Sequence, residues 1–271
     1  AGAAHLAGMV IRAPGGARIR GEFAAATGFR GFRDRGLALR RPVLDAILLD
    51  RARAAGAEVL EGEQVISVLG DSRHGGCGVR VRTAGGAERE HRARVVVGAD
   101  GLRSVVARRA GIARQAIGPR RLALIGHYRG VGGMSDFGEM HVARDGYVGI
   151  ADVGHALTTV AAVFPTRAGR EIARDPAAFL QTWLARQPQL APRFASARRV
   201  DDVRAVGPFA SHARRAWAPG ALLVGDAADF FDPFTGEGIY AALRGGELAA
   251  HYARAALDAA LRTETDVALA A

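Results

Sequence analysis

The chain has 271 residues, 49% hydrophobic and 24% charged, enough to bury one large core or two smaller ones. Its formal net charge of +10 is carried by arginine alone, because the sequence contains no lysine. The arginines are scattered and not interleaved with aromatics, which speaks against a nucleic-acid partner and fits a GC-rich coding bias. No apolar run approaches the roughly 18 residues of a membrane-spanning helix, and Ala1–Val10 lacks the charged start of a signal peptide. A single cysteine, Cys77, cannot form an internal disulfide, so the expected setting is cytoplasmic, with peripheral membrane contact left open.

Residues 1–36 are rich in Gly, Ala and Arg, with short strands or turns expected around Met9–Ile11 and Ala17–Ile19. Arg41-Pro42-Val43-Leu44-Asp45 opens a helix: Pro42 suits the first turn, Leu44, Ile47, Leu48 and Ala52 share a face, and Gly56 ends it. Glu58–Leu60 and Gln64–Leu69 read as strands. Val79–Thr83 alternates at period two, and the Gly85-Gly86 turn makes it a hairpin with Glu88–His91. Val95-Val96-Val97 reads as a strand buried on both faces, followed by Gly98-Ala99-Asp100-Gly101 and a helix from Ser104 to Ala110.

Residues 120–165 carry four strand-like runs in succession, the pattern of an antiparallel sheet. Asp175-Pro176 starts a helix, and residues 203–210 return as a strand. Then a short apolar run, Leu222-Leu223-Val224, ends in Gly225-Asp226. A loop through Asp232, Pro233, Phe234, Thr235, Gly236, Glu237 and Gly238 leads into a helix from Ile239.

A lone Gly-Asp is usually a turn or cap. Attached to this loop and helix it points to ligand binding at the carboxyl edge of an α/β sheet. The Asp226 carboxylate can accept hydrogen bonds from hydroxyls, the glycines permit close backbone approach, and the helix start favours negative charge. Asp100-Gly101 is by itself a common turn signal, and Arg41 by itself is compatible with a surface arginine. His127, His141, His155 and His212 lack metal-ligand spacing and read as sheet or surface residues. Cys77 sits in a Gly-rich turn and is assigned no role.

Taken together, the Gly225-Asp226 to Ile239 segment, Gly98–Ser104 and the Arg41-Pro42-Val43-Leu44-Asp45 segment resemble the FAD-dependent oxidoreductases of the p-hydroxybenzoate-hydroxylase-like superfamily, over most of residues 41–255. The resemblance implies an α/β fold: an FAD/NAD(P)-binding Rossmann-like domain with an inserted antiparallel-sheet substrate domain. The expected boundaries are 1–118 and 203–271 for the FAD-binding domain and 119–202 for the substrate domain. It also implies FAD as cofactor and NAD(P)H as reductant. Asp226 would meet the ribityl chain, and Gly225, Pro233, Gly236, Gly238 and Ile239 would face the flavin. Arg41 would meet the pyrophosphate and the Val65 backbone the adenine, while Asp100 and Gly101 would shape the site and help hold it together.

Glu139-Met140-His141-Val142, Gly146–Ile150 and the Phe-Thr-Gly-Glu-Gly-Ile loop look closest to the geranylgeranyl-reductase-like branch. That branch's aromatic Tyr-x-Trp-x-Phe-Pro segment is only partly kept: Tyr147 remains, with Gly149, Ala151 and Asp152 at the other positions. Flavin-dependent halogenases use a catalytic lysine, which this sequence lacks. The expected activity is NAD(P)H-driven oxidation or reduction of a hydrophobic small molecule. Monooxygenation leads, and C=C reduction of an isoprenoid or quinone is the alternative; no catalytic side chain is singled out. The strand–G-x-G-x-x-G–helix unit of the superfamily is absent; Gly15-Gly16, Gly28–Gly31 and Gly130–Gly133 lack its spacing. The chain therefore reads as fragment-like, with weak FAD binding expected, and an inert relative stands as the alternative of another class.

Overall fold

The structure, a computed structural model, describes residues 2–24, 34–70, 77–115, 120–209, 211–230 and 232–270, with backbone alone for residues 115, 211 and 260–270. Gly28–Gly31, Phe231 and the expected boundary at 118 lie outside the described residues. Contacts divide the chain into two units, Ala1–Val59 with Pro119–Pro208, and Leu60–Gly118 with Phe209–Ala271.

The first unit holds the two-stranded pair Ala4–Leu6 and Gly36–Ala38 and one large sheet. Its strands run in the order Arg198–Arg199, Arg121–Arg129, Thr158–Pro165, Tyr147–Asp152, Phe137–Val142, Gly8–Arg12 and Arg18–Glu22, and Arg204–Phe209 also pairs with Arg121–Arg129. The four runs expected between 120 and 165 are its antiparallel centre. Gly8–Arg12 joins parallel to Phe137–Val142, a pairing across nearly half the chain that no local pattern signals.

Period-two alternation sends Leu124, Val148, Ile150, Val160, Ala162 and Phe164 to one face, where Leu180, Trp183, Leu184 and Leu190 cover them. The covering helix, Pro176–Ala185, starts as expected: the Asp175 carboxylate accepts the Ala178 amide at 2.9 Å. Phe164 meets the edges of Phe179 and Trp183, with ring centroids 5.0 and 5.2 Å apart. On the opposite face Ile125, Gly149, Ala151, Thr159 and Ala161 are only half-buried.

The Arg41–Ala54 helix also lies in this unit. Pro42 is in its first turn, and Gly56 takes φ +89° just past its end. Its apolar face is not covered among the described residues: Ile47 and Leu48 are each 42% exposed.

The second unit contains a three-stranded meander, Glu63–Leu69, Cys77–Thr83 and Glu88–Ala93. Glu58–Leu60 is not a strand; a turn at Glu61-Gly62 intervenes, with Gly62 at φ +77°. Val96–Gly98 runs parallel to Ala221–Leu223, which pairs antiparallel with Trp217–Ala218. Val96 is buried, but Val97 is 46% exposed, because only one face of this strand is covered. The helix Val105–Arg109 packs Val106 and Ala107 into a core with Cys77, Ile112, Leu223 and Ala227. Cys77 opens a strand and is not in a turn; its buried thiol donates to the carbonyls of Ala93 and Gly220. Burial pushes that thiol's pKa up, which opposes reactivity. The chain's long final helix is Gly238–Ala270.

Candidate functional site

Two segments singled out in the sequence meet at one sheet edge. Leu223 and Gly98 are register partners in the parallel pair, and the Val224 amide continues the ladder to the Gly98 carbonyl at 3.0 Å. The turns Gly101–Arg103 and Gly225–Ala227 therefore leave adjacent strand ends and pack against each other. Carboxyl ends of neighbouring parallel strands are where α/β sheets bind ligands.

Asp100 is committed to structure. Its Oδ2 accepts the amides of Val105 and Val106 at 2.6 and 3.4 Å, while Ser104 Oγ accepts from Ala107 at 2.9 Å. Both acceptors serve the first turn of the Val105 helix, whose amides would otherwise lack partners. Gly101, at φ +75°, has nothing within 4 Å of where a Cβ would stand.

Gly225 has φ +56°, and a Cβ there would stand 3.1 Å from Ala242 Cβ. One turn on, Gly245 also faces Val224, where a Cβ would stand 3.6 Å from the Val224 Cβ, an ordinary contact. Asp226 begins a short helical turn, closed by the Ala228 amide on the Gly225 carbonyl. Asp232 Oδ1 accepts the Phe234 amide at 3.0 Å, starting the Pro233–Thr235 turn, and Gly236 exits it at φ +73°. The positions of a Cβ on Gly236 and on Gly238 are open space. Ile239, Tyr240 and Leu243 are 45, 63 and 51% exposed. Leu248 is 43% exposed and lines an apolar cavity of about 770 Å³ with Trp217, Leu222, Val224, Gly225 and Tyr252.

The other two expected residues are elsewhere. Val65 lies in the Glu63–Leu69 strand, next to a register shift between Val65 and Ser67, and that strand packs on the Val105 helix. Arg41 belongs to the first unit, where its guanidinium forms a two-point pair with Asp45 at 3.1 and 3.3 Å.

The first unit holds two polar clusters that the sequence did not reveal. The carboxylate of Glu139, 4% exposed, accepts both terminal nitrogens of Arg193 at 2.8 Å and pairs with His141 Nε2 at 2.9 Å. Burial alone would raise its pKa; the hydrogen bonds from His141 and Arg193 and the charge of Arg193 bring it down to about 2. Arg193 also donates to the carbonyls of Gly132 and Gly133. In the second cluster, His127 Nδ1 is 2.6 Å from Asp201 Oδ2, and the His127 amide donates to Asp201 Oδ1 at 3.0 Å. Glu139 and His141, two apart on a strand, share a face and so were discoverable. The third member, Arg193, lies 54 residues beyond Glu139, outside any sequence pattern. Among the described residues no three His, Cys, Asp or Glu side chains are grouped to hold a metal.

A parallel strand pair ending in two acidic, glycine-bearing turns, one feeding a long helix, defines a nucleotide-binding α/β protein. Residues 35–266 match the FAD binding domain family, and the chain belongs to it. It is 30% identical over 263 residues to a digeranylgeranylglycerophospholipid reductase of Methanosarcina mazei, covering 94% of this chain and 61% of that one. Among solved structures it resembles a flavoprotein/dehydrogenase from Cytophaga hutchinsonii (TM-score 0.82, 20% identity, 94% of this chain and 63% of that one). It also resembles a geranylgeranyl bacteriochlorophyll reductase-like protein from Thermoplasma acidophilum (TM-score 0.74, 24% identity, with the same coverage). The chain spans about three fifths of the length of the curated relatives it matches. The family's cofactor is FAD. The residues here fit it: Asp226 offers a carboxylate for sugar-like hydroxyls, and Gly101, Gly236 and Gly238 leave the backbone open to a flat ligand.

Proposed function

We propose that the chain is part of an FAD-dependent oxidoreductase acting on a hydrophobic substrate, with reduction of isoprenoid C=C bonds as the favoured reaction. The observation that carries this reading is the pairing of the Asp100-Gly101 and Gly225-Asp226 turns at adjacent strand ends, within a chain whose relatives include digeranylgeranylglycerophospholipid reductases. FAD would supply hydride chemistry, with NAD(P)H as the reductant. Asp226 and the backbone at Gly225, Pro233, Gly236, Gly238 and Ile239 would hold it. Gly101 would leave room beside it, and Asp100 would keep the neighbouring turn in shape. Arg41 and Val65 are proposed contacts to the pyrophosphate and adenine on resemblance alone.

The half-buried sheet face supports an apolar substrate. Tyr147, Gly149 and Ala151 alternate onto one face of their strand, alongside Met140 and Ala161. Two of the branch's aromatic positions are thus filled by small residues, which widens this wall. His127 follows Ile125 on this face, with its Nδ1 held by Asp201.

The test is turnover of a geranylgeranyl-bearing lipid by the FAD-loaded protein with NAD(P)H, with and without oxygen. A product that gains two hydrogens anaerobically supports reduction. A product formed only in air, carrying one added oxygen, shows the hydroxylase chemistry instead.

A further inference from the structure

A second cavity, of about 450 Å³, lies wholly within the first unit, between the end of the Gly8–Arg12 strand, the Val142–Gly146 turn and the segment after the Pro176–Ala185 helix. Its wall includes Arg12, His141, Arg144, Asp145, Trp183 and Gln187. The volume is in the range of small-ligand sites, and cationic groups outnumber acids on the wall.

The charges can be assigned one by one. The Glu139 carboxylate behind the wall is matched by the two-point pair with Arg193. Arg12 approaches it only at 3.8 Å and keeps a third of its side chain exposed. Asp145 accepts Trp183 Nε1 at 3.1 Å, which fixes the indole in the wall. Arg144 is exposed. Glu139 engages His141 at Nε2, so Nδ1 is the ring nitrogen left for a ligand. Every buried side-chain nitrogen and oxygen among the described residues has a hydrogen-bond partner. Nδ1 has no partner among the described residues, and His141 lines the cavity.

We propose that this cavity binds a small soluble organic anion, a carboxylate or phosphate monoester with an apolar body. Arg12 and Arg144 take the oxyanion, and Gln187 donates at the rim. His141 donates through Nε2 to Glu139, so its Nδ1 is an acceptor and takes an O–H of the ligand, such as the hydroxyl of a phosphate monoanion. The Trp183 ring takes the apolar part. Planar guanidinium groups suit such an oxyanion, and an anchored indole gives apolar contact at little entropic cost.

Phenyl phosphate is the probe, titrated into the 271-residue protein in a buffer without competing oxyanions, by calorimetry and by ¹⁵N resonances of the histidine rings. The expected result is saturable binding with Kd of about 1 mM or tighter, with movement of the His141 Nδ1 resonance. The double variant R12Q/R144Q, both at exposed or half-exposed positions, weakens binding at least about tenfold. Absence of saturable binding, a static His141 resonance at saturation, or undiminished affinity in the double variant would overturn the proposal. The readout in the wild-type protein stands even if the variant folds poorly.

Discussion

Gly98 and Leu223 face each other across a parallel strand pair, and this register sets Asp100-Gly101 beside Gly225-Asp226. A Cβ on Gly98 would stand 2.8 Å from Leu223 Cδ2 and 2.8 Å from Val106 Cβ. The two strands and the Val105 helix can approach only because that atom is missing. Gly98→Ala is therefore expected to cost about 1–3 kcal/mol through overpacking. Urea denaturation should show a lower midpoint at an unchanged slope; an unchanged midpoint would show that the contact yields freely.

Asp100 caps the Val105 helix through its carboxylate. Asp100→Ala strands the amides of Val105 and Val106 and should cost about 1–2 kcal/mol, whereas Asp100→Asn keeps an acceptor and should cost less. Thermal melts of the two variants without any ligand separate this structural role from binding. Equal stability in wild type and Asp100→Ala would contradict it.

Much of this layout was legible because it is local. Alternation along 120–165 gave the sheet strands, and the apolar runs ending in Gly-Asp and Asp-Gly gave the paired turns. What failed depended on distant partners. Glu58–Leu60 had strand composition but no neighbouring strand to pair with. Val95–Val97 had the composition of a doubly buried strand, yet the structure covers only one of its faces. The pairs Arg193–Glu139 and His127–Asp201 join residues 54 and 74 apart.

Glu139 makes acid stability readable. Its carboxyl stands at about 2 in the folded chain against an ordinary 4.5. A depressed carboxylate stabilises the fold fully above the unfolded value and loses that contribution as pH falls toward the folded one. The contribution is on the order of 3 kcal/mol, lost between about pH 4.5 and pH 2. The stability difference between wild type and Glu139→Gln should shrink across that window; a difference that stays flat would contradict the ion-pair geometry.

The turn joining Tyr147–Asp152 to Thr158–Pro165 carries two non-glycine residues in the left-handed region, His155 at φ +56° and Ala156 at φ +53°. The Leu157 amide donates to the Gly154 carbonyl at 3.1 Å, closing a type I′ turn, which favours Asn-Gly. Ala156→Gly should raise stability by about 0.5–1 kcal/mol, the relief of strain exceeding glycine's entropic cost. A lower melting temperature would show that the Ala156 methyl contributes packing that outweighs the strain.

The central claim is that the paired turns hold FAD through Asp226. Its most direct test is a titration of FAD into wild-type protein and Asp226→Ala, followed by flavin fluorescence, with circular dichroism confirming that the fold is kept. Saturable binding by the wild type, weakened at least about tenfold in the variant, is the predicted result, a loss of about 1.4 kcal/mol or more. Equal affinity in the two proteins, or no saturable binding by the wild type, would contradict it.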